Sequence, residues 1–89
     1  MIEKEVTIIN RLGLHARAAA KFVQTASRFE AEITISNKGK SVNGKSIMGV
    51  MMLAAGKGSS LLINCDGEDE NEAITALEEL IQDYFGEGE

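Results

Sequence analysis

The chain has 89 residues, a size for one small domain spanning residues 1–89, and its 44% apolar and 26% charged residues are ordinary for a globular protein. Its lone cysteine, Cys65, excludes a disulfide framework and a CxxC metal pair, and no run reaches the ~18 apolar residues of a membrane span. The start, "MIEKEVTII", lacks the basic-then-apolar pattern of a signal peptide, so a cytoplasmic protein without membrane insertion is expected.

The net charge of −5 conceals two regions. Residues 6–29 carry Arg11, Arg17, Lys21 and Arg28 and no acid, and residues 33–65 carry Lys38, Lys40, Lys45 and Lys57 and no acid. Residues 66–89 carry ten acids and no base. Only Phe22 and Phe29 stand as aromatics within the first basic region, and there is no dense Lys/Arg cluster, so nucleic acid is not the expected partner. A smaller anion or an acidic protein surface suits this field better.

"EVTIIN" (5–10) alternates at Val6 and Ile8 and reads as a strand. "RLG" turns the chain. From Ala16 to Ser27, apolar Ala16, Ala19, Ala20, Val23 and Ala26 recur at helical spacing. "AEITIS" (31–36) alternates again, and "NKGK" turns into the short strand "SVN", which predicts a hairpin. "SIMGVMMLAA" (46–55) reads as a short apolar helix closed by Gly56, and "SLLINC" (60–65) as a fourth strand. A last helix over about 71–85 buries Ala73, Ile74, Leu77, Ile81 and Tyr84, with Asp69 and Glu72 as a capping box. The order β-α-β-β-α-β-α predicts an α+β fold, one antiparallel sheet with helices on one face.

His15 is the chain's only histidine, and it falls where the first turn meets the first helix. A helix start presents unpaired N–H groups and a positive dipole end, a ready anion site. Arg17 adds a charge in the first turn, and Gly13 lets the chain turn tightly. Imidazole keeps a neutral, nucleophilic fraction near pH 7, and a nucleophile at an anion site is what accepting and surrendering a phosphoryl group requires. The bland alternative is a surface or capping histidine. With no second histidine, and no acid in the fourteen residues after His15 to orient it, a general hydrolase is not expected.

"GLHARAAA" resembles the active-site motif of the HPr family, the histidine phosphocarriers of the bacterial phosphoenolpyruvate-dependent phosphotransferase system. "GKSIMGVMMLAAGKG" resembles the same family's regulatory-serine region, and the likeness extends over the whole chain. The resemblance implies an open-faced β-sandwich, a four-stranded antiparallel sheet in order 1-4-2-3 with three helices on one face. It implies phosphorylation of His15 on Nδ1, with Arg17 helping to hold the phosphoryl group. It implies Enzyme I as donor and EIIA-type transporter components as acceptors. The chain is then a protein substrate rather than an autonomous catalyst; a monomer is expected, and no cofactor or metal. Ala18 stands where the family usually has proline. Alanine fits a first turn and restores an N–H, so the chemistry is expected to survive with a slightly looser helix start.

At 100° per residue, Val50, Leu53 and Ala54 occupy one arc of the second helix, and Ile47, Met48, Met51 and Met52 continue it through roughly another 140°. A short helix cannot bury so wide a face, so some of these four are expected at the surface, where flexible methionines suit a surface that fits several partners. The alternative is that they fill core gaps. The resemblance implies that this helix lies beside His15 and helps dock partners. Ser46 precedes the helix and is expected as its N-cap. The resemblance adds a role as target of an HPr kinase/phosphorylase, and a phosphate there would sit at a helix N-terminus and repel acidic partners. Cys65 reads as a small buried hydrophobe, and Asn10 and Asn64 as strand-end residues that cap turns.

Two other function classes compete with the carrier. One is a regulatory binding module of the same fold acting through Ser46 and the methionine helix; the presence of His15 counts against it. The other is a ferredoxin-like metal or small-ligand domain, whose β-α-β-β-α-β order is similar. The missing CxxC pair and the extra C-terminal helix count against that.

Overall fold

The computed structural model describes residues 1–88. The chain forms β1 (Ile2–Thr7), α1 (Ala16–Ala26), β2 (Glu32–Asn37), β3 (Lys40–Asn43), α2 (Ile47–Met52), β4 (Ser60–Asp66) and α3 (Glu70–Gln82), then a 3-10 turn at Tyr84–Gly86. The sheet order is β1-β4-β2-β3, with every neighbouring pair antiparallel. Register follows the apolar alternation. Val6 stands opposite Leu61, Ile35 opposite Ile63 and Ile33 opposite Cys65, all buried on one face. A slip of one residue would turn that set to water. Lys38 and Gly39, with φ of 52° and 83°, make the two-residue turn between β2 and β3.

The helices supply the other half of the core. Ala18, Ala19, Phe22 and Ala26 of α1 are fully buried, and α3 contributes Ala73, Ile74, Leu77 and Ile81. The small alanines of α1 let its backbone sit close while Phe22 fills the space between layers. Cys65 lies in this core, where burial first, and the nearby Glu70 and Asp69 carboxylates second, push its thiol up to about 11. It stays neutral and behaves as the small hydrophobe expected.

Several local expectations are corrected. β1 covers Ile2–Thr7 rather than 5–10, because the seven-residue β4 pairs with it from Ile2 opposite Cys65 to Thr7 opposite Ser60. The charged "EKE" stretch is tolerated because β1 is an edge strand. α2 ends at Met52, and Ala54, with φ of 51°, turns the chain out of it before Gly56 is reached. That early exit brings the Ala55 carbonyl to the Leu14 N–H at 2.8 Å. The capping box does not form. Asp69 instead accepts the Glu30 and Ala31 N–H groups, at 2.8 and 2.9 Å, and ties the α1–β2 loop down. Those backbone donors, Glu30 foremost, hold its carboxyl below the usual range against the opposing cost of burial.

The largest correction is at the C-terminus. The last helix stops at Gln82, and Tyr84 and Phe85 both adopt left-handed backbone, with φ of 57° and 53°. Two such residues reverse the direction of the chain. Phe85, not Tyr84, becomes the core residue: Phe85 is 0% exposed and Tyr84 38%. The segment after it is laid back across α1, where Lys21 Nζ donates to the Phe85 carbonyl at 2.6 Å.

Candidate functional site

The turn before α1 is shaped by Gly13, which has a φ of 68°. A Cβ there would stand 2.6 Å from the Ala55 carbonyl oxygen and 2.8 Å from Gly56 Cα. Only glycine fits both the conformation and the approach. The turn thus rests against the chain leaving α2, and His15 follows two residues later.

His15 is itself the N-cap of α1. Its backbone is extended, its carbonyl accepts the Ala19 N–H at 2.8 Å, and its Nδ1 accepts the Arg17 N–H at 3.3 Å. His15 thus fills the capping role, at the same helix start where the sequence predicts an anion site. Arg17 is exposed in the first turn, on the same cleft as His15, Arg11, Leu12 and Lys21.

The fourth side of that cleft was not expected. Glu87, 72 residues further on, places Oε2 2.5 Å from His15 Nε2. No acid lies in the fourteen residues after His15, but one reaches the ring from much further along the chain, brought back by the reversal at Tyr84 and Phe85. The other oxygen of Glu87 accepts from Asn10 Nδ2 at 3.1 Å. Burial alone would raise the Glu87 carboxyl, but the hydrogen bonds from His15 and Asn10 and the charges of His15 and Lys21 outweigh it and hold it below the ordinary glutamate value.

These contacts determine where the imidazole proton sits. An ionised carboxylate only accepts, so Nε2 carries the proton. An N–H points at Nδ1, so Nδ1 keeps its lone pair. In its neutral form the ring therefore holds its proton on Nε2, facing Glu87, and directs its Nδ1 lone pair at the helix N-terminus.

Asn10 does more than cap a turn. It is fully buried, and its Nδ2 bridges the Gly13 carbonyl, at 2.9 Å, and Glu87. Both partners accept, which fixes the amide orientation. Its Oδ1 is left without a partner among the described residues, a cost of about 1–3 kcal/mol. Asparagine just past the end of a strand, three residues before a glycine, was the only signal the sequence offered.

On α2, Ser46 is the N-cap, with its hydroxyl accepting the Gly49 N–H at 3.1 Å. Val50 is fully buried while Met48 is 67% and Met52 61% exposed; Ile47 and Met51 lie at the surface beside them. The core-filling alternative for these four side chains is thereby set aside. α2 packs on α1, and its exit chain holds the turn before His15. Among the described residues no helix is long and apolar enough to cross a membrane.

Fold and site together define a class: a small open-faced α+β sandwich that presents one histidine, at a helix start, in a shallow basic cleft beside an exposed apolar helix. The sequence matches the family described as "PTS HPr component phosphorylation site" over residues 2–83. It is 56% identical over 89 residues to the phosphocarrier protein HPr of Neisseria meningitidis serogroup A, covering all of both chains. Its structure is similar to that of HPr-C-His from Thermoanaerobacter tengcongensis, with a TM-score of 0.95, 49% identity and 98% of each chain covered. A crystal structure of an HPr dimer from the same organism is also similar, with a TM-score of 0.79 and 49% identity over 98% of this chain and 100% of that one. The chain belongs to the HPr family, the phosphocarrier proteins of the phosphotransferase system. The dimer among its neighbours means that a monomeric state is not general to this fold.

Proposed function

We propose that the protein carries a phosphoryl group on Nδ1 of His15, taking it from Enzyme I and passing it to EIIA-type components. The observation that carries this reading is the pair of contacts on the ring: Arg17 N–H at Nδ1 and Glu87 at Nε2. They support a neutral nucleophile whose lone pair lies at an anion-binding helix start. In the transfer, Nδ1 forms the new N–P bond while the donor's N–P bond breaks and its electron pair returns to the donor nitrogen. The Arg17 N–H, released from Nδ1, becomes a donor to the incoming phosphoryl oxygens, and the guanidinium adds charge. The chain acts as a protein substrate in the cytoplasm, as a monomer and with no cofactor. Ile47, Met48, Met51 and Met52 form the apolar part of its docking surface, rimmed by basic residues that suit acidic partners. Ser46 is the site for an HPr kinase/phosphorylase, where a phosphate adds about two negative charges beside that surface.

The test is incubation with Enzyme I and labelled phosphoenolpyruvate. The label is expected on the protein, lost in acid and retained in base. His15→Ala should take up none, and Arg17→Ala should take it up more slowly while melting within a few degrees of the parent, since exposed substitutions cost under ~0.5 kcal/mol. Label persisting in His15→Ala would refute the assignment.

A further inference from the structure

The contact between His15 and Glu87 joins residues from opposite ends of the chain, and the fold holds it deliberately in place. Phe85 anchors the segment in the core, Lys21 grips its carbonyl, and the buried Asn10 fixes the second oxygen of the Glu87 carboxylate. The Glu87 side chain is only 11% exposed, and that of His15 29%. This is the arrangement by which a carboxylate orients a reacting imidazole in other sites: it fixes the tautomer and steadies positive charge on the ring.

We infer that Glu87 is a positioning residue for phosphoryl transfer, keeping the Nε2 proton of His15 in place throughout the cycle. The inference rests on the reading of His15 as the phosphoryl acceptor. The proton matters in both directions. When Nδ1 attacks phosphorus, its lone pair becomes the N–P bond and the ring turns cationic, with Nε2–H facing the carboxylate. When the phosphoryl group departs, the N–P pair returns to Nδ1, and the ring leaves as neutral imidazole only if Nε2 still holds its proton. Without that proton the leaving group would be an imidazolate, a far poorer one. No proton need enter or leave the site.

The charges facing the ring divide by sign. Arg11 comes from the preceding turn and Arg17 and Lys21 from α1, and all three oppose a positive ring. Glu87 is the acid lining that cleft and the group that favours the protonated form. Its position on Nε2, across the ring from Nδ1, leaves the nucleophilic side open.

The test compares the full-length protein with Glu87→Gln and Glu87→Ala, using Enzyme I and phosphoenolpyruvate for loading and an EIIA protein as acceptor. Both variants are expected to fold, because Phe85 still anchors the tail. Each should transfer about tenfold more slowly with an unchanged KM, the loss of one charge-assisted contact. The alkaline limb of the donation rate should move to lower pH in both, because the ring gives up its Nε2 proton more readily without the carboxylate. A tail-holding role alone would not move that limb. Wild-type rates in the variants, a change confined to KM, or slower transfer with an unmoved limb would each overturn the inference. His15→Ala run alongside keeps the two readings apart. If the wild-type protein is never phosphorylated, the carrier reading fails; if it is and the Glu87 variants match it, only the role of Glu87 fails.

Discussion

Phe85→Ala probes the strap that carries Glu87 to His15. Phe85 is fully enclosed, and truncating a buried phenylalanine costs about 3–5 kcal/mol when the surroundings hold still. Here they need not hold still. Tyr84 and Phe85 both sit in left-handed backbone, which costs an L-residue roughly 1–2 kcal/mol each. Burial of the Phe85 ring, worth about 1.5–3 kcal/mol, and the tail's contacts with Lys21, Asn10 and His15, at about 0.5–1.5 kcal/mol each, more than offset that strain. Once the ring is gone, the tail detaches and the strain is released. The expected loss is therefore about 1–3 kcal/mol, below the rigid-core figure. For a domain of this size that lowers Tm by about 4–8 °C per kcal/mol. Urea unfolding followed by far-UV circular dichroism measures it, with Tyr84→Ala as the comparison. Tyr84 is partly exposed and its truncation should cost under about 1 kcal/mol. Detachment also predicts that the His15 ring resonances in NMR spectra respond to Phe85→Ala as they do to Glu87→Ala. A Tyr84→Ala loss equal to that of Phe85→Ala, or unaltered His15 resonances in Phe85→Ala, would show that the Phe85 ring does not hold the tail on His15.

Met48→Asp tests docking apart from chemistry. The side chain is 67% exposed, so the fold should survive, while Enzyme I binding weakens about ten- to hundredfold, the cost of desolvating an unpaired carboxylate (about 1–3 kcal/mol). Calorimetric titration reads the affinity, and unchanged binding would place Met48 outside the docking surface. The stability profile in acid offers a second check. Asp69, Glu70 and Glu87 all have carboxyls held below their ordinary values, led by the backbone donors at Asp69 and Glu70, while at Glu87 hydrogen bonds overcome the cost of burial. Depressed carboxyls stabilise the fold fully above the unfolded values near pH ~4 and lose that contribution as pH falls through the folded ones. Tm should therefore fall below about pH 4, and Asp69→Asn should flatten part of that descent. A variant curve running parallel to the parent through the acid limb would count against the loop tie.

The parts of the molecule legible in the sequence are those written in local pattern. Alternation exposed the first two strands, though the first with its bounds displaced, the "NKGK" turn exposed the third, and "GLH" before an alanine-rich period placed His15 at a helix start. Ser46 announced itself as a cap, and the surplus width of the α2 apolar arc announced its exposed methionines. Glu87 could not be read in that way. A helix continued to Phe85 turns Tyr84 inward and carries Glu87 away from the site. The reversal depends on left-handed backbone at two aromatic residues, for which sequence gives no positive signal; the glycines at 86 and 88 show only that the helix must be failing by then. The capping box failed for a related reason. Asp69 had a local partner available, but two N–H groups of a distant loop made better use of its carboxylate.

The proposed function rests on Nδ1 of His15 as the atom that carries the phosphoryl group. NMR of the ¹⁵N-labelled protein, phosphorylated by Enzyme I and phosphoenolpyruvate, tests it directly through the coupling between phosphorus and a ring nitrogen. One phosphohistidine is expected, at residue 15, with phosphorus on Nδ1 and a proton on Nε2. Phosphorus on Nε2, or on any other residue, would contradict it.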